Sequence, residues 1–158
     1  MATTNLSTYD ETTIPNANGL RFGIVVSEWN GDITNNLYLG AKETLLKFGV
    51  LPEDIIYKQV PGSFELVSGA RKFVADSFYG VDAVIVIGSV IQGETKHFDF
   101  VCQGTANGIA KLNAEFDTSI IFCVLTDNVK QQAIDRSGGK HGNKGVEAAI
   151  AAIKMANF

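Results

Sequence analysis

The sequence has few of the residues and segments that mark several large classes of protein. Its 158 residues include only two cysteines, three prolines and two histidines. No apolar run approaches the roughly 20 residues that span a bilayer, so we expect no membrane-spanning helix and no membrane partner. Lys and Arg number 13 against 17 Asp and Glu. This slight acidity is unlike the basic surface of nucleic-acid-binding proteins, so we expect no nucleic-acid partner.

The cysteines and the N-terminal composition favour a cytoplasmic protein. Cys102 and Cys123 lie in apolar stretches and cannot form a disulfide scaffold, so we interpret them as reduced core thiols. Arg21 is the first basic residue, and the N-terminus therefore lacks the features of signal and transit peptides. Residues 1–18 are rich in Thr and Asn. We expect them to form a loose arm, with no contribution to the core, on a single domain spanning 1–158.

Four short segments rich in β-branched residues predict β-strands. They are Leu20–Ser27, Ile55–Val60, Asp82–Val90 and Ser119–Thr126. Three are almost continuously apolar, which is typical of strands buried on both faces of a parallel sheet. The segment Ile55–Val60 alternates more, which indicates a position nearer a sheet edge.

Apolar residues at helical spacing predict a helix after each strand. The stripes begin at Ile33, Val67 and Val101, a short helix lies near Asn128–Arg136, and a last stripe comprises Val146, Ile150 and Ile153. This alternation predicts an α/β fold, a three-layer α/β/α sandwich of flavodoxin-like type around a four-stranded parallel sheet. An extra N-terminal strand is left open. Ligands of such folds bind beyond the carboxyl ends of the strands.

The loop after the first strand contains Trp29, the only tryptophan of the chain, followed by Asn30. Trp29 is either a core residue or an aromatic plate for a planar ring, with Asn30 bonding the ring edge. Asn30 or Asp32 is also a good N-cap for the following helix. After the second strand, Ser63 and Glu65 either cap the next helix or bind a hydroxyl-rich ligand.

The segment after the third strand predicts an anion site. Gly93, Glu94 and Thr95 lead into a helix, whose free amides together with the Thr95 hydroxyl can bind an anion. His97 follows within the first turn, where an imidazole close to a bound anion is a candidate general acid or base. His141 is the only other histidine, so we expect no multi-histidine metal site.

A glycine-rich basic segment follows the fourth strand. Arg136, Lys140 and Lys144 stand four residues apart among glycines. The arginine can make a two-pronged contact with a phosphate, although a solvated charged face is the commoner meaning of such a segment. Composition and spacing alone therefore indicate a protein that binds a phosphorylated small molecule and moves protons.

Several of these stretches together resemble one known family, 6,7-dimethyl-8-ribityllumazine synthase. The resemblance covers residues 20–157 in order and without large gaps. It is carried by Arg21–Val26, Val60–Glu65, Gly93–Asp99, Gly139–Gly145 and Glu147–Asn157. It implies condensation of 5-amino-6-(D-ribitylamino)uracil with 3,4-dihydroxy-2-butanone 4-phosphate to give the lumazine, phosphate and water. This is the penultimate step of riboflavin biosynthesis, and the family uses neither a metal nor an organic cofactor.

The resemblance also implies roles for individual residues. His97 would transfer protons, and Glu94, Thr95 and Arg136 would bind the phosphate. Residues that would contact the pyrimidine or the ribityl chain are Trp29, Asn30, Ser63, Phe64, Glu65, Val90, Ile91, Phe122 and Lys144. The resemblance assigns Phe122 to the site of a neighbouring subunit. Lys96 departs from the small or uncharged residue that relatives often have there.

The family further implies a homo-oligomer with active sites between adjacent subunits, and handover of product to riboflavin synthase is a further expected partnership. Members form pentamers, and some build shells of twelve pentamers. The Arg136–Gly145 segment has the length seen in shell-forming relatives, which favours the shell. Pro15 argues against it, because a residue without an amide donor lies where an N-terminal strand would join a neighbouring sheet.

Two other functions are compatible with parts of the sequence. A non-enzymatic flavin or lumazine binder could use Trp29 on the same scaffold, but the presence of both His97 and Arg136 favours the enzyme. A flavodoxin-like electron carrier would need a Ser/Thr-rich phosphate loop after the first strand, which this sequence lacks.

Overall fold

The four predicted strands are confirmed to within two residues at each end. In the computed structural model, which describes residues 7–158, they are β1 (Phe22–Ser27), β2 (Ile55–Val60), β3 (Ala83–Ile91) and β4 (Ser119–Asp127). The helices are α1 (Gly31–Lys47), α2 (Leu66–Ala75), α3 (His97–Glu115), α4 (Lys130–Arg136) and α5 (Lys144–Ala156). Between α4 and α5 the glycine-rich segment forms a small hairpin that the sequence did not predict. Its strands are β5 (Ser137–Gly139) and β6 (Gly142–Asn143).

The sheet is parallel, with the strand order β2-β1-β3-β4. Phe22 on β1 faces Ile55 on β2 and Ala83 on β3, and Ala83 in turn faces Ser119 on β4. The predicted edge position of Ile55–Val60 is confirmed. At the opposite edge, the carboxyl ends of β3 and β4 stay together as far as the pair formed by Ile91 and Asp127.

Buried side chains lie on both faces of the sheet, which confirms the three layers. On one face Ile24 and Ile85 pack with α1 and α5, and on the other Val25 and Val84 pack with α2 and α3. The alternation of β1 side chains between the two clusters follows from the two-residue period of a strand. Both faces require apolar residues, which explains why these strands read as continuous apolar strings.

Two of the predicted helical stripes were wrong in part. The stripe that begins at Val67 was predicted to continue through Ala70 and Val74 to Phe78. Helix α2 ends at Ala75, so Phe78 lies beyond the helix with 84% of its surface exposed. In α5, Val146 and Ile150 are only half-buried. Its buried face instead comprises Gly145, Ala148, Ala149, Ala152 and Ile153. Small side chains dominate that face because α5 lies close to α1. The prediction from hydrophobicity missed this face because large apolar residues dominate a hydrophobicity pattern.

The prediction that the N-terminal arm adds nothing to the core was wrong for the residues the structure describes. Ile14 and Ala17 are buried in the core cluster that includes α1 and α5, and Tyr9 packs against it. The Ser7 hydroxyl accepts the Asn143 amide at 2.7 Å. Residues 7–18 form a short 3-10 turn and no strand. Residues 1–6 of the predicted arm lie outside the described residues.

The two cysteines differ in their surroundings. Both are free; Cys123 is fully buried on β4, as predicted for a core thiol, and burial raises its pKa to about 12. Cys102 on α3 is only half-buried, so its assignment to the core was wrong. Residues 7–158 contain no helix long and apolar enough to cross a membrane. Over the same residues no group of three or more His, Cys, Asp or Glu side chains is arranged to hold a metal.

Helices α1 and α5 approach each other most closely at Gly145. A β-carbon there would overlap the carbonyl oxygen of Leu37 in α1. The preceding Asn143 caps α5 by accepting the Gly145 amide at 2.8 Å, and its side-chain amide donates to the Asn36 carbonyl at 2.9 Å. The Asn143 side chain also fills the space that a β-carbon at Gly40 would need. The start of α5 is therefore held against the backbone of α1.

We expect Gly145→Ala to lower the free energy of unfolding by about 1–3 kcal/mol, because the added methyl group must push α5 away from a backbone carbonyl. The measurement is chemical denaturation followed by circular dichroism. Gly31→Ala is the matched control, since Gly31 also lies in the first turn of a helix but has open space where a β-carbon would stand. Equal stabilities for the two variants would contradict the close approach.

Candidate functional site

A pocket of about 600 Å³ lies at the carboxyl ends of β1 and β3, where α2 and α3 begin. Its wall is formed by residues from the loops after β1 and β2, from the end of β3 and from the first turn of α3. They are Trp29, Asn30, Gly62, Ser63, Phe64, Glu65, Ser89, Val90, Ile91, His97, Phe100 and Val101. The carboxyl ends of parallel strands meet at one edge of the sheet, which is why segments distant in sequence come together there.

Trp29 lies at the mouth of the pocket with 72% of its surface exposed, so the alternative of a core tryptophan is wrong. Phe64 and Phe100 are also exposed on the pocket wall, at 57% and 71%. Large exposed aromatic side chains around a concavity are unusual on a protein surface and indicate a place where a partner or ligand is bound. The three rings offer flat apolar faces to a planar ligand.

Asn30 adopts a left-handed backbone conformation, with φ 55° and ψ 48°, at the start of α1. Its side chain makes no capping hydrogen bond, which differs from the predicted N-cap role. Instead its amide nitrogen donates to the Ser89 carbonyl at 2.9 Å, across the ends of β1 and β3. A non-glycine residue in this conformation stores strain, and such residues concentrate at functional sites. The bond fixes the Trp29–Asn30 loop against the pocket.

The loop after β2 places Ser63 and Glu65 in the wall without side-chain capping bonds to α2. Ser63 is buried, and its hydroxyl faces Gly88. A β-carbon at position 88 would lie only 2.6 Å from that hydroxyl, so position 88 requires glycine. The Ser63 carbonyl accepts from the Thr105 hydroxyl at 3.2 Å. The Glu65 carboxylate is close to Gly62 and to the pocket. The capping interpretation finds no support in the Glu65 side chain, which makes no capping bond, while ligand binding by this segment stays a prediction.

His97 is the first residue of α3 and is exposed on the pocket wall. Its backbone amide lies 3.4 Å from the Thr95 hydroxyl. Glu94 and Thr95 belong to the exposed loop just before the helix and are not part of the pocket wall. The predicted helix N-terminus is confirmed, and it brings this loop directly beside the pocket through His97.

The structure adds wall residues that the sequence argument missed, namely Gly62, Ser89, Phe100 and Val101. Phe100 and Val101 stand three and four residues after His97, so they share its face of α3. Given His97 as a site residue, this helical spacing predicts that Phe100 and Val101 also face the pocket. Ser89 directly precedes Val90. Successive side chains of a strand point to opposite faces of the sheet, so the sequence does not indicate which residues at the end of β3 reach the pocket.

Besides Glu94 and Thr95, three further predicted site residues do not line the pocket of the chain to which they belong. Phe122 lies in the middle of the edge strand β4, opposite Val86, and is 37% exposed. Lys144 begins α5 and its ammonium lies 2.9 Å from the Glu147 carboxylate. Arg136 ends α4. All three belong to the β4–α5 part of the chain, and none of them is part of the pocket wall.

Arg136 is paired with a carboxylate that the sequence argument did not consider. Its Nε lies 3.7 Å from Oδ1 of Asp127, whose side chain is only 7% exposed at the end of β4. Burial raises the pKa of Asp127 above its ordinary value, and the Arg136 guanidinium opposes that rise. The guanidinium therefore compensates a carboxylate that has lost most of its hydration.

The fold and the pocket define a flavodoxin-like α/β protein with a small-molecule site at the carboxyl edge of its parallel sheet. The pocket combines aromatic faces with an amide, a carboxylate and an imidazole, so it can hold a planar polar molecule and transfer protons.

Comparison with known proteins identifies the group within this class. The family 6,7-dimethyl-8-ribityllumazine synthase matches residues 19–158. A relative of that name from Flavobacterium johnsoniae is 65% identical over 152 residues, which are 96% of this chain and 79% of the relative. One from Christiangramia forsetii is 60% identical over 154 residues, or 98% of this chain and 91% of the relative. A third, from Phocaeicola vulgatus, is 54% identical over 154 residues, covering 98% and 90%.

The chain belongs to the 6,7-dimethyl-8-ribityllumazine synthase family and is an enzyme of riboflavin biosynthesis. Membership confirms the resemblance found in the sequence and implies small-molecule substrates and an oligomeric assembly.

Proposed function

We propose that this chain condenses 5-amino-6-(D-ribitylamino)uracil with 3,4-dihydroxy-2-butanone 4-phosphate, giving 6,7-dimethyl-8-ribityllumazine, phosphate and water, and that the reaction takes place at the pocket described above. One observation carries the proposal. In a chain of this family, a single pocket gathers Trp29, Asn30, Glu65 and His97 from the segments after three different strands. We propose further that residues 1–158 form one domain, and that the enzyme works in the cytoplasm, where its free thiols suit a reducing compartment.

The pyrimidine substrate is assigned to the aromatic end of the pocket. The exposed Trp29 ring stacks on the pyrimidine, while Asn30 and the end of β3 at Val90 and Ile91 contact the ring edges. The Asn30–Ser89 hydrogen bond holds the loop in place before substrate arrives, which lowers the entropic cost of binding.

The ribityl chain is assigned to the loop after β2. Ser63, Phe64 and Glu65 line the same wall, and hydroxyl groups of the sugar chain are suitable donors to the Glu65 carboxylate. The Phe64 ring rests on α3 at Gly104, where a β-carbon would come within 2.7 Å of the ring. This contact fixes the apolar side of the ribityl subsite.

The butanone phosphate is assigned to the start of α3. The backbone amides of Glu94 and Thr95, the Thr95 hydroxyl and the Arg136 guanidinium bind the phosphate, helped by the helix N-terminus. Both loop residues are exposed and stand immediately before His97. The phosphate and the reacting carbonyl therefore come close to the imidazole.

The substrate amine is the nucleophile, so the reaction needs no activated serine or cysteine. The steps are addition to the carbonyl with Schiff-base formation, elimination of phosphate, and ring closure. Each step moves protons, and His97 is the imidazole on the pocket wall that does so. Much of the rate comes from holding two substrates in one orientation, and Arg136 stabilises the departing phosphate. No metal or organic cofactor takes part in this scheme.

The site is completed by a second copy of the chain. Phe122, Arg136 and Lys144 lie outside the pocket of their own chain, and Phe122 is exposed on an edge strand. The resemblance assigns these three residues to substrate binding, yet none of them lines the pocket of its own chain. Their positions are explained if they contribute to the pocket of a neighbouring subunit. The assembly is a pentamer, twelve of which form a shell, and the product passes to riboflavin synthase.

Sedimentation velocity tests the assembly. We expect the purified chain to sediment as a particle of twelve pentamers, with the pentamer as its dissociation product. A pentamer peak that persists at every protein concentration would contradict the shell, and a monomer with full activity would contradict the shared site.

The decisive test of the reaction is the absorbance of the lumazine after the two substrates are mixed with the purified chain. We expect product formation at a rate proportional to enzyme concentration. The control omits the butanone phosphate. Tight binding of lumazine or flavin without turnover would contradict the proposal and identify a binding protein on the same scaffold.

A further inference from the structure

Asp127 is a buried carboxylate to which no role has been given so far. It is the last residue of β4, paired in the sheet with Ile91, which lines the pocket. Its carbonyl accepts the Gln92 amide at 2.9 Å, so its backbone ties the ends of β3 and β4 together. That backbone role requires no carboxylate, and an apolar side chain would be cheaper to bury at this position.

The carboxylate has one ionic partner among the described residues. Oδ1 lies 3.7 Å from Arg136 Nε, while the buried Oδ2 has no hydrogen-bond partner within residues 7–158. A buried charge is retained when another charge compensates it, and removing the partner is costly. Compensation by Arg136 explains how a carboxylate is tolerated at this position, but it does not explain why a carboxylate is there.

The residue before Arg136 in the sequence, Asp135, also carries a carboxylate, but this carboxylate has other partners. Asp135 accepts from the Gln131 side chain at 2.9 Å and pairs with Lys140 at 3.1 Å. Asp127 is thus the carboxylate paired with Arg136 in the part of the chain that the structure describes. The contact runs through Nε, so the two terminal guanidinium nitrogens are the donors left for another anion.

We propose that Asp127 is a positioning residue that orients the Arg136 guanidinium for the phosphate of the butanone substrate. A free arginine side chain occupies many rotamers, and a two-pronged contact with phosphate needs one of them. The ionic contact of Asp127 with Nε favours a subset of these rotamers and leaves the terminal nitrogens available for a phosphate. The inference rests on the proposed function, in which Arg136 binds the phosphate.

The test is Asp127→Asn in the assembled enzyme, because asparagine keeps the shape and removes the charge. We expect the KM for the butanone phosphate to rise about five- to tenfold, with kcat and the KM for the pyrimidine changed less than twofold. Inhibition by inorganic phosphate weakens in parallel. Asp135→Asn is the matched control, since it removes a similarly buried carboxylate one residue from Arg136 that pairs with Lys140 instead. We expect no change in either KM for this control.

A double-mutant comparison separates positioning from a purely structural role. In the Arg136→Ala background, Asp127→Asn should change inhibition by inorganic phosphate no further, because the residue it orients is gone. A fall in Tm with unchanged KM, or an equal effect in both backgrounds, overturns the positioning role while the proposed function stands. If Arg136→Ala itself leaves phosphate inhibition unchanged, the phosphate assignment fails as well.

Discussion

Replacing Arg136 by alanine is expected to raise the KM for the butanone phosphate by roughly 10- to 100-fold. A hydrogen bond to a charged group contributes about 1.5–3 kcal/mol, and each 1.4 kcal/mol corresponds to about tenfold in affinity. The substitution removes both prongs of the contact and the positive charge that compensates the phosphate. The KM for the pyrimidine is expected to stay unchanged, because the proposed function assigns that substrate to the Trp29 end of the pocket.

Steady-state kinetics with each substrate varied in turn measures this effect. Arg136→Lys is the matched variant, since it keeps a positive charge but loses the planar fork, and should fall between wild type and alanine. If only the KM for the pyrimidine moved, the assignment of Arg136 to the phosphate would be wrong. Assemblies that contain both wild-type and Arg136→Ala subunits give a second check. If Arg136 serves the pocket of the neighbouring subunit, a variant subunit next to a wild-type subunit should have a functional pocket.

Replacing His97 by alanine is expected to lower kcat about a hundredfold, which is the usual contribution of a positioned general acid or base. His97 is the histidine on the pocket wall, and addition, elimination and ring closure all require proton transfer. Affinity for the pyrimidine should stay close to that of the wild type, because the substitution leaves the proposed stacking on Trp29 and the proposed contacts to the ring edges untouched. The loss should therefore be confined to the chemical steps.

Single-turnover absorbance separates binding from chemistry for this variant. His141→Ala is the control, because His141 lies between β5 and β6 and is not part of the pocket wall. We expect its kcat to match the wild type. An unchanged rate for His97→Ala would rule out its role as proton carrier. A large loss of pyrimidine affinity instead would make His97 a binding residue.

The sequence predicted most of the framework because the framework depends on local patterns. Strands buried on both faces must be apolar throughout, and the helices between them show a 3.6-residue period. Parallel strands end at one edge of the sheet, so the residues just after them are predicted to form the pocket. Trp29, Ser63, Glu65 and His97 were found in this way and do line one pocket.

The features that escaped prediction depend on tertiary contacts. The left-handed conformation of Asn30 is stabilised by a bond to the end of another strand, and no local pattern announces it. The small-residue face of α5 follows from how closely α1 approaches. Ile14 and Ala17 enter the core only because the rest of the fold offers them a place. The pairing of Asp127 with Arg136 joins residues nine apart across a loop and a helix.

Helix α1 begins directly after the Trp29–Asn30 loop. In its interior, the Asn36 carbonyl accepts the side-chain amide of Asn143, a residue that stands between Arg136 and Lys144 in the sequence. If each chain stacks substrate on its own Trp29 and lends its arginine to the next chain, α1 acts as a spacer between consecutive reaction centres. One inserted residue would rotate its two ends by about 100° relative to each other. In the proposed assembly, the number of residues in α1 between these two points is therefore a fixed dimension. Relatives that share the assembly should conserve this length even where its surface residues differ.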